Sequence, residues 1–376
     1  MRVGVGVSCE KLSWQAGLQA ATAAVTRSGQ AKLAIVLATS NYDCTAVLAG
    51  ARSALGKSQV VGASCAGFFS EQGFFEQGIA VLTLAGKELF VSTALIEDKN
   101  VDAGIVGQRI GETLLAADGS DGAVICFADS FEGQGTQLLD ALYDTVGPNF
   151  SYFGGGAGNS RDLSNSWQMT ERGLVSQGIA ASLLRGCRLS GGVGHGWVPA
   201  GSPLVITRAE GRVVFELDGR AALDVYAERL GGIADNSFAD TFMRHPLGIC
   251  YGPDRFIVRD PLQVVQDTSL QFISDVPSQA VAYIMKPEAD PTFSIASGLA
   301  QQALAQLEKP RFALVSYCMS RLALLGSGYQ DEIRSLVGPF AGQVPFLGFL
   351  ALGEIGAYAD VPQFHNKSIS LLMGGE

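Results

Sequence analysis

Short apolar runs of strand length alternate along the chain with stretches of helical composition, and this pattern occurs three times. In the first copy the apolar run 33–38 stops at polar residues, and a helix-like stretch follows over 44–55. The chain then returns through a second apolar run, turns on glycines and leaves through 78–84. Comparable runs begin at Ala123 and Phe312. A pattern that recurs in this way predicts a repeated supersecondary unit.

Each copy follows a segment rich in Ala and Leu, at 14–27, 106–117 and 293–307. Continuously apolar strands that alternate with such helices indicate sheets covered on at least one face. We therefore predict an α/β fold in which repeated helix-strand-helix-strand-strand units form layered, mostly mixed sheets in two domains. The polar loops that follow the strands should lie at one edge of each sheet, where α/β folds bind ligands.

The stretch 190–290 has a different pattern from the three copies. Short β-rich pieces are separated there by turn signals such as Glu210-Gly211 and Gly252-Pro253. A chain of 376 residues also exceeds the usual size of roughly 100–200 residues for one domain. We predict a ligand-sensing domain over 1–195 and a second domain over 196–376.

Charge and cysteine usage narrow the range of partners. The formal charge is -10, which would repel phosphate backbones and anionic lipids, so we expect neither nucleic acid nor a membrane as partner. The N-terminus lacks the features of a secretory signal, and no apolar run reaches the ~18 residues of a membrane span. The 7 cysteines are scattered without C-x-x-C spacing, which favours reduced thiols over a zinc site. We expect a cytoplasmic protein.

An ordered set of motifs covers almost the whole chain. The motifs are found at 62–67, 207–211, 216–223, 245–248, 258–261, 318–321, 345–349, 353–355 and 365–366. In their order they resemble the FIST proteins, in which a FIST N domain precedes FIST C. The resemblance implies an input module for signal transduction that binds a small, amino-acid-like ligand and regulates a separate partner, such as a histidine kinase or a diguanylate cyclase. One branch of the family binds haem and senses nitric oxide. Many relatives have Thr where this chain has Cys65.

The third copy carries the densest group of polar residues at predicted strand and loop ends. A zwitterionic ligand could place its carboxylate on Arg321 and its ammonium group on Glu354. A buried salt bridge, together with a His-Asn pair that ties down the last strand, is the structural alternative. The predicted ligand-binding residues of this copy are Cys318, Arg321, Glu332, Glu354, His365 and Asn366.

Two glycine-rich turns in the first two copies are expected to form walls of the site. Ser64 and Cys65 lie in one of them, and 154–158 occupies the matching position in the second copy, so we expect the two to face a common cavity. The second turn lacks the motif of a phosphate-binding loop, and its glycines are better explained by close backbone approach.

Two further chemistries remain as alternatives. Cys318 beside Arg321 could act as a nucleophile with His365 as its base, but a sensor without catalytic activity is the preferred interpretation. His195 lies between two glycines and is followed by Trp197, an arrangement that could present an imidazole to haem iron. We predict no obligatory cofactor, with haem on His195 as the alternative. Asp218-Gly219 and Asp260-Pro261 are interpreted as turns without chemistry.

Overall fold

The computed structural model describes residues 1–97, 101–115, 120–129, 135–158, 166–233, 238–265, 268–288, 291–358 and 361–376. Within these ranges the chain folds as three related units, with a separate sheet inserted into the third. The last two residues of the predicted helical segment 106–117 lie outside the described residues.

The first unit alternates strands and helices and ends with a short hairpin and a return strand. Asp43 begins its second helix, because its carboxylate accepts the N–H groups of Thr45 and Ala46 at 2.9 and 3.3 Å. In chain order the elements are β1 (Arg2–Ser8), α1 (Ser13–Ser28), β2 (Leu33–Thr39), α2 (Cys44–Leu55), β3 (Gln59–Cys65), β4 (Phe68–Ser70), β5 (Gly73–Phe75) and β6 (Ile79–Ala85).

The second unit repeats the same order of elements. They are β7 (Phe90–Glu97), α3 (Ala103–Leu114), β8 (Gly122–Asp129), α4 (Gly135–Val146), β9 (Phe150–Ala157), β10 (Gln168–Thr170), β11 (Gly173–Val175) and β12 (Gly178–Arg185).

The third unit is interrupted after its first strand, β13 (Arg188–Gly194), by the insertion 197–287. The insertion contains β14 (Trp197–Pro199), β15 (Leu204–Glu210), β16 (Val213–Leu217), β17 (Arg220–Ala221), α5 (Ala222–Arg229), α6 (Phe238–Arg244), β18 (Leu247–Gly252), β19 (Arg255–Arg259), β20 (Pro261–Val265), β21 (Ser269–Phe272) and β22 (Ala280–Pro287). These strands form one antiparallel sheet with α5 and α6 packed on it around a core of its own.

The third unit then resumes with its helices and remaining strands. They are α7 (Pro291–Ala305), β23 (Pro310–Cys318), α8 (Met319–Leu325), a 3-10 turn (Gly326–Gly328), α9 (Tyr329–Val337), β24 (Phe346–Ala351), β25 (Glu354–Tyr358), β26 (Val361–His365) and β27 (Ile369–Gly375).

Each unit forms a mixed sheet around one parallel pair, which is β2 with β3, β8 with β9, or β23 with β24. Each of these three sheets is completed by the hairpin of another unit. The β4–β5 hairpin of the first unit pairs with β24, the β10–β11 hairpin of the second with β3, and the β25–β26 hairpin of the third with β9. The three units are therefore connected in a ring.

One apolar core contains residues from all three sheets, including Leu37, Phe127 and Phe349. The opposite face of each sheet is covered by the helices of its own unit. The predicted α/β fold with mixed sheets in two domains is confirmed. The predicted bounds 1–195 and 196–376 stay a prediction, since hydrogen-bonded strands such as β13 and β27 join residues on either side of position 195. Within the described ranges, no helix combines the length and apolar composition that a bilayer crossing requires.

Candidate functional site

The insertion meets the third unit through buried polar contacts, most of which involve the chain between β26 and β27. Arg259 donates from Nη1 to the carbonyl oxygen of Phe364 at 2.8 Å, and Asn366 donates from Nδ2 to Ser274 Oγ at 3.2 Å. We call this region the joint and define it as Arg259, Asp260, Cys318, Arg321, Glu332, Glu354 and 364–367.

Lys367 forms the central ion pair of the joint. Its Nζ lies 3.1 Å from Asp260 Oδ2, and both side chains are buried. The same Nζ lies 3.0 Å from Met243 Sδ and 5.4 Å from the centre of the Trp197 ring. Burial raises the pKa of Asp260, whereas Lys367 lowers it. A cation on the third unit thus compensates a carboxylate of the insertion.

Arg321 forms a second buried ion pair, with Glu332 on α9. Its Nε donates to Glu332 Oε2 at 3.0 Å and its Nη2 donates to Oε1. Nη1 donates to the carbonyl oxygens of His195 at 2.5 Å and Lys367 at 2.8 Å. Arg321 therefore already holds a carboxylate of its own chain and ties β13 to the start of β27. These contacts use four of its five N–H donors, and the Tyr317 side chain is a further hydrogen-bond partner of Arg321.

Glu354 begins β25 and is fully buried. Its Oε2 accepts hydrogen bonds from the N–H and hydroxyl groups of Ser368 at 3.1 and 2.8 Å. Oε1 has no hydrogen-bond partner among the described residues. Burial raises the pKa of Glu354 to about 8, against the lowering effect of Ser368. Glu354 is therefore mostly protonated at neutral pH, whereas the ammonium partner that the sequence predicts would favour its ionised form.

His365 and Asn366 fix the connection between the last two strands. The Nε2 atom of His365 lies 3.2 Å from the carbonyl oxygen of Gly356, and burial lowers the pKa of His365 to about 3. Its ring packs edge to face with Tyr358 at 5.0 Å. Asn366 Oδ1 has no hydrogen-bond partner among the described residues. The pair anchors β27, as in the structural alternative, and its role in ligand binding stays a prediction.

Cys318 ends β23 and lies inside the joint. Its Sγ accepts the backbone N–H of Lys367 at 3.2 Å, and burial raises the pKa of the thiol to about 12. A catalytic cysteine needs a lowered pKa and access to substrate, and Cys318 has neither property here.

Ser64 and Cys65 lie at the end of β3, in the first unit. Ser64 Oγ accepts the N–H of Trp167 at 2.9 Å, and the N–H of Gly158 donates to the Ser64 carbonyl oxygen at 3.2 Å. The two glycine-rich segments therefore meet, while their role as walls of a shared cavity stays a prediction. Most of the second segment is β-strand, and a Cβ on Gly155 would lie 2.7 Å from Ser316 Oγ, so close approach explains that glycine. Burial raises the pKa of Cys65 to about 12.

His195 follows β13 and is turned towards the protein. Its Nδ1 accepts the N–H of Trp197 at 3.0 Å. Burial, with a contribution from nearby Arg321, lowers its pKa to about 4, against a hydrogen bond to the backbone of Phe256. Nδ1 is thus engaged by the protein, and a ring that is held in this way among buried groups is a poor fit for an axial ligand of haem iron.

A cavity of about 190 Å³ opens beside the joint. Trp197, Arg244 and Pro287 line it from the insertion, and Arg321, Leu324 and Leu325 line it from the third unit. His195 and Gly196 form the rest of its wall. We call it the joint cavity. It lies between two parts of the molecule, where ligand sites are frequent.

Sequence reasoning missed three residues that are central to the joint. Arg259 and Asp260 belong to a motif that was interpreted as a turn, and Lys367 was not singled out. Lys367 has a left-handed backbone with φ of 56°. The sequence does place a lysine directly after His365-Asn366 and before an apolar strand, which indicates a buried cation. It does not indicate that Asp260 is its partner.

Family models match both parts of the chain, with the FIST N domain over residues 32–220 and the FIST C domain over 222–357. An uncharacterized protein of Mycobacterium tuberculosis is 23% identical over 99% of both chains. Another, from Methanocaldococcus jannaschii, is 24% identical over 82% of this chain and 66% of its own length.

Among solved structures, cyanuric acid hydrolase from A. caulinodans aligns with a TM-score of 0.28 and 13% identity, over 49% of this chain and 71% of its own. A likeness at this level carries no argument about fold or function. The family matches do support a conclusion, because together they cover most of the chain. FIST domains are associated with sensing in signal transduction. The chain belongs to the FIST family, with a FIST N domain followed by a FIST C domain.

Proposed function

We propose that this protein is a cytoplasmic sensor that binds a small, amino-acid-like ligand at the joint cavity and regulates a separate signalling protein. The observation that carries the proposal is the position of the cavity between the insertion and the third unit. A ligand that contacts both walls favours one placement of the insertion over others, and a ligand shifts an equilibrium only through such differential contacts.

The size and chemistry of the cavity support this ligand class. A volume of about 190 Å³ is below the roughly 300–1,000 Å³ of drug-sized sites, so a small metabolite is the appropriate occupant. Arg321 lines the cavity and supplies a positive charge for a carboxylate. Glu354 is buried beside the cavity wall in the joint but does not line the cavity, so its role as acceptor for an ammonium group stays a prediction.

The direct test is a thermal-shift screen of the full chain against amino acids and related small metabolites. We expect at least one compound to raise the midpoint of unfolding and to do so less in Arg321→Gln and Glu354→Gln. Because these two variants also perturb the joint, Leu324→Trp is added, since it fills the cavity from a partly exposed position.

The matched control is Arg334→Gln, which removes an exposed arginine of the same unit outside the cavity. It should respond to the ligand like the parent protein. If no compound stabilises the parent protein, or if Leu324→Trp responds fully, ligand binding at this cavity is ruled out.

The proposed sensor has no catalytic activity, and the burial of Cys318, which raises the pKa of its thiol to about 12, supports this proposal. Cys318→Ser should keep the full ligand response. A loss of response together with turnover of the ligand by the parent protein would instead support a thiol enzyme. Regulation is tested by adding the ligand to a histidine kinase or diguanylate cyclase in the presence of this protein and measuring the partner's activity.

The haem alternative is separable from the main proposal. Purified protein mixed with haem should show no Soret band of a specific complex, since Nδ1 of His195 is engaged by the backbone of Trp197. A band that His195→Ala abolishes would favour a haem-based nitric oxide sensor.

A further inference from the structure

A second and larger cavity lies within the insertion, on the face of its sheet that carries α5 and α6. It has a volume of about 390 Å³, which is within the range of roughly 300–1,000 Å³ that small-molecule sites occupy. Leu204, Leu230 and Ile284 provide apolar walls. The rest of the lining consists of polar side chains, two glycines and Ala200, and comes from the two helices, the residues that follow them and the segment between β14 and β15. We call it the insertion cavity.

Two guanidinium groups line the insertion cavity. Arg229 donates to Asp218 Oδ2 at 3.1 Å and makes longer contacts of 3.4 Å with the carbonyl oxygens of Ser202 and Pro203. Arg244 donates from Nε to both oxygens of Asp240, at 3.0 and 3.1 Å. The two terminal amino groups of Arg244 have no hydrogen-bond partner among the described residues, so planar donors remain for a further acceptor.

Hydroxyl groups add to this excess of donors. Ser202 and Thr241 line the same cavity, and neither hydroxyl makes a hydrogen bond within the part of the chain that the structure describes. Each arginine is paired with one carboxylate, Arg229 with Asp218 and Arg244 with Asp240. The remaining donors, which are the terminal amino groups of Arg244 and the two hydroxyl groups, make the cavity suited to an oxyanion.

We infer that the insertion cavity binds a small metabolite with a carboxylate or phosphate group. The anion is held by Arg229 and Arg244, and Ser202 and Thr241 supply further hydrogen bonds. Guanidinium groups hold both kinds of oxyanion through paired N–H donors. A short apolar portion of the ligand packs on Leu204 and Ile284. This site is distinct from the joint cavity, and its occupancy does not depend on the proposed sensor function.

The two cavities share one residue, because Arg244 lines both. The preceding residue, Met243, contacts Lys367 of the joint through its sulfur. The variant that isolates the insertion cavity is therefore Arg229→Gln, because Arg229 lines that cavity and not the other. Arg244→Gln serves as the second variant.

The experiment is a calorimetric titration of the full chain with sodium phosphate and, separately, with sodium succinate, each compared with sodium chloride at equal ionic strength. We expect saturable binding of at least one oxyanion and no saturable binding of chloride. Arg229→Gln and Arg244→Gln should each weaken binding at least tenfold. Whichever oxyanion binds more tightly identifies the head group.

The matched control is Arg220→Gln, because Arg220 forms an exposed ion pair with Glu228 in the same insertion, outside the cavity. It should bind the oxyanion like the parent protein, and circular dichroism should show that all three variants are folded. Arg244→Lys, which keeps the charge but loses the planar pair of donors, should bind with intermediate affinity. The inference is wrong if neither oxyanion binds, or if Arg220→Gln weakens binding as much as the two cavity variants do.

Discussion

The first and third units share one arrangement of strands and helices but differ in what they bury. In the first unit, α1 and α2 pack on the sheet through apolar and small residues, including Ala20, Ala24, Val47 and Ala51. The third unit also has an apolar core, but the joint lies at one end of it. Of the seven Arg, Lys, Asp and Glu side chains that are buried among the described residues, six belong to the joint and Arg185 is the other.

The repeated fold therefore does not require buried charge, whereas the contact with the insertion contains it. Packing in the first unit is sufficient to hold two helices on a sheet without buried charge. Buried ion pairs add little stability compared with apolar packing of the same volume, but they are strongly destabilising when one partner is lost. The joint therefore makes the placement of the insertion depend on a few complementary charges.

The largest expected effect comes from breaking the central ion pair of the joint. Lys367→Met should lower the free energy of unfolding by about 3–5 kcal/mol, because Asp260 then remains buried without a compensating charge. Denaturation by urea at pH 7 measures the loss. Adding Asp260→Asn should restore most of it. A loss below about 1 kcal/mol would mean that the buried pair contributes no more than a surface pair.

The corresponding test in the first unit introduces a steric clash between two helices instead of an unpaired charge. Gly17→Ala adds a Cβ that would lie 2.2 Å from the carbonyl oxygen of Val47, where α1 packs against α2. Because backbone cannot yield as a flexible side chain does, we expect a loss of about 1–3 kcal/mol. The loss should not vary between pH 5 and pH 9. A strong pH dependence would show that this helix pair is coupled to the charged joint.

The pH dependence of stability should come largely from the joint. The pKa of Glu354 is raised to about 8 in the folded protein from 4.5, so the folded state binds the proton more tightly than the unfolded state does. Its contribution to stability is complete below pH 4.5 and is lost as pH rises to about 8, by about 1.4 kcal/mol for each pH unit between these values. Glu354→Gln should remove this slope in urea titrations from pH 5 to pH 8.

If Glu354→Gln leaves the pH dependence of the unfolding free energy unchanged, the carboxyl group of Glu354 is already ionised at neutral pH. The joint would then carry one more negative charge than it does with a protonated Glu354. Lys367→Met is the informative companion, since it alters the charge of the joint while leaving Glu354 in place.

The smallest effect is expected at an exposed ion pair of the insertion. Arg208→Gln breaks the contact with Glu216, in which both partners are at least one third exposed, and should change stability by about 0–1 kcal/mol. The change should decrease further in 0.5 M salt. A larger loss would point to the contact of Arg208 with the Phe215 ring as the important one.

The repeated units could be predicted because their information is local. The run 33–38 and the helix-like stretch 44–55 coincide almost fully with β2 and α2, since strand length and apolar period are properties of adjacent residues. The exchange of hairpins could not be predicted. Strands of three residues, such as β4 and β10, carry too little pattern to specify a partner in another unit.

The candidate site was predicted in part for a related reason. Arg321, Glu332, Glu354, His365 and Asn366 stand out as polar residues at strand and loop ends, and the structure brings them into one region. Arg259 and Asp260, which contact Phe364 and Lys367, lie about a hundred residues earlier in the chain, in a segment with the features of a turn. An ion pair between such distant positions depends on how the insertion docks, which no local pattern contains.

The exchanged hairpins have a consequence for the solubility of incomplete chains. β3, β9 and β24 would each present unpaired N–H and C=O groups if the hairpin of the other unit were absent. Open strand edges of this kind promote pairing between molecules and aggregation. Since each unit protects a neighbour and is protected by the other, a fragment that lacks one unit should aggregate even where its own sequence is intact. Protection against self-association is thus a collective property of the ring.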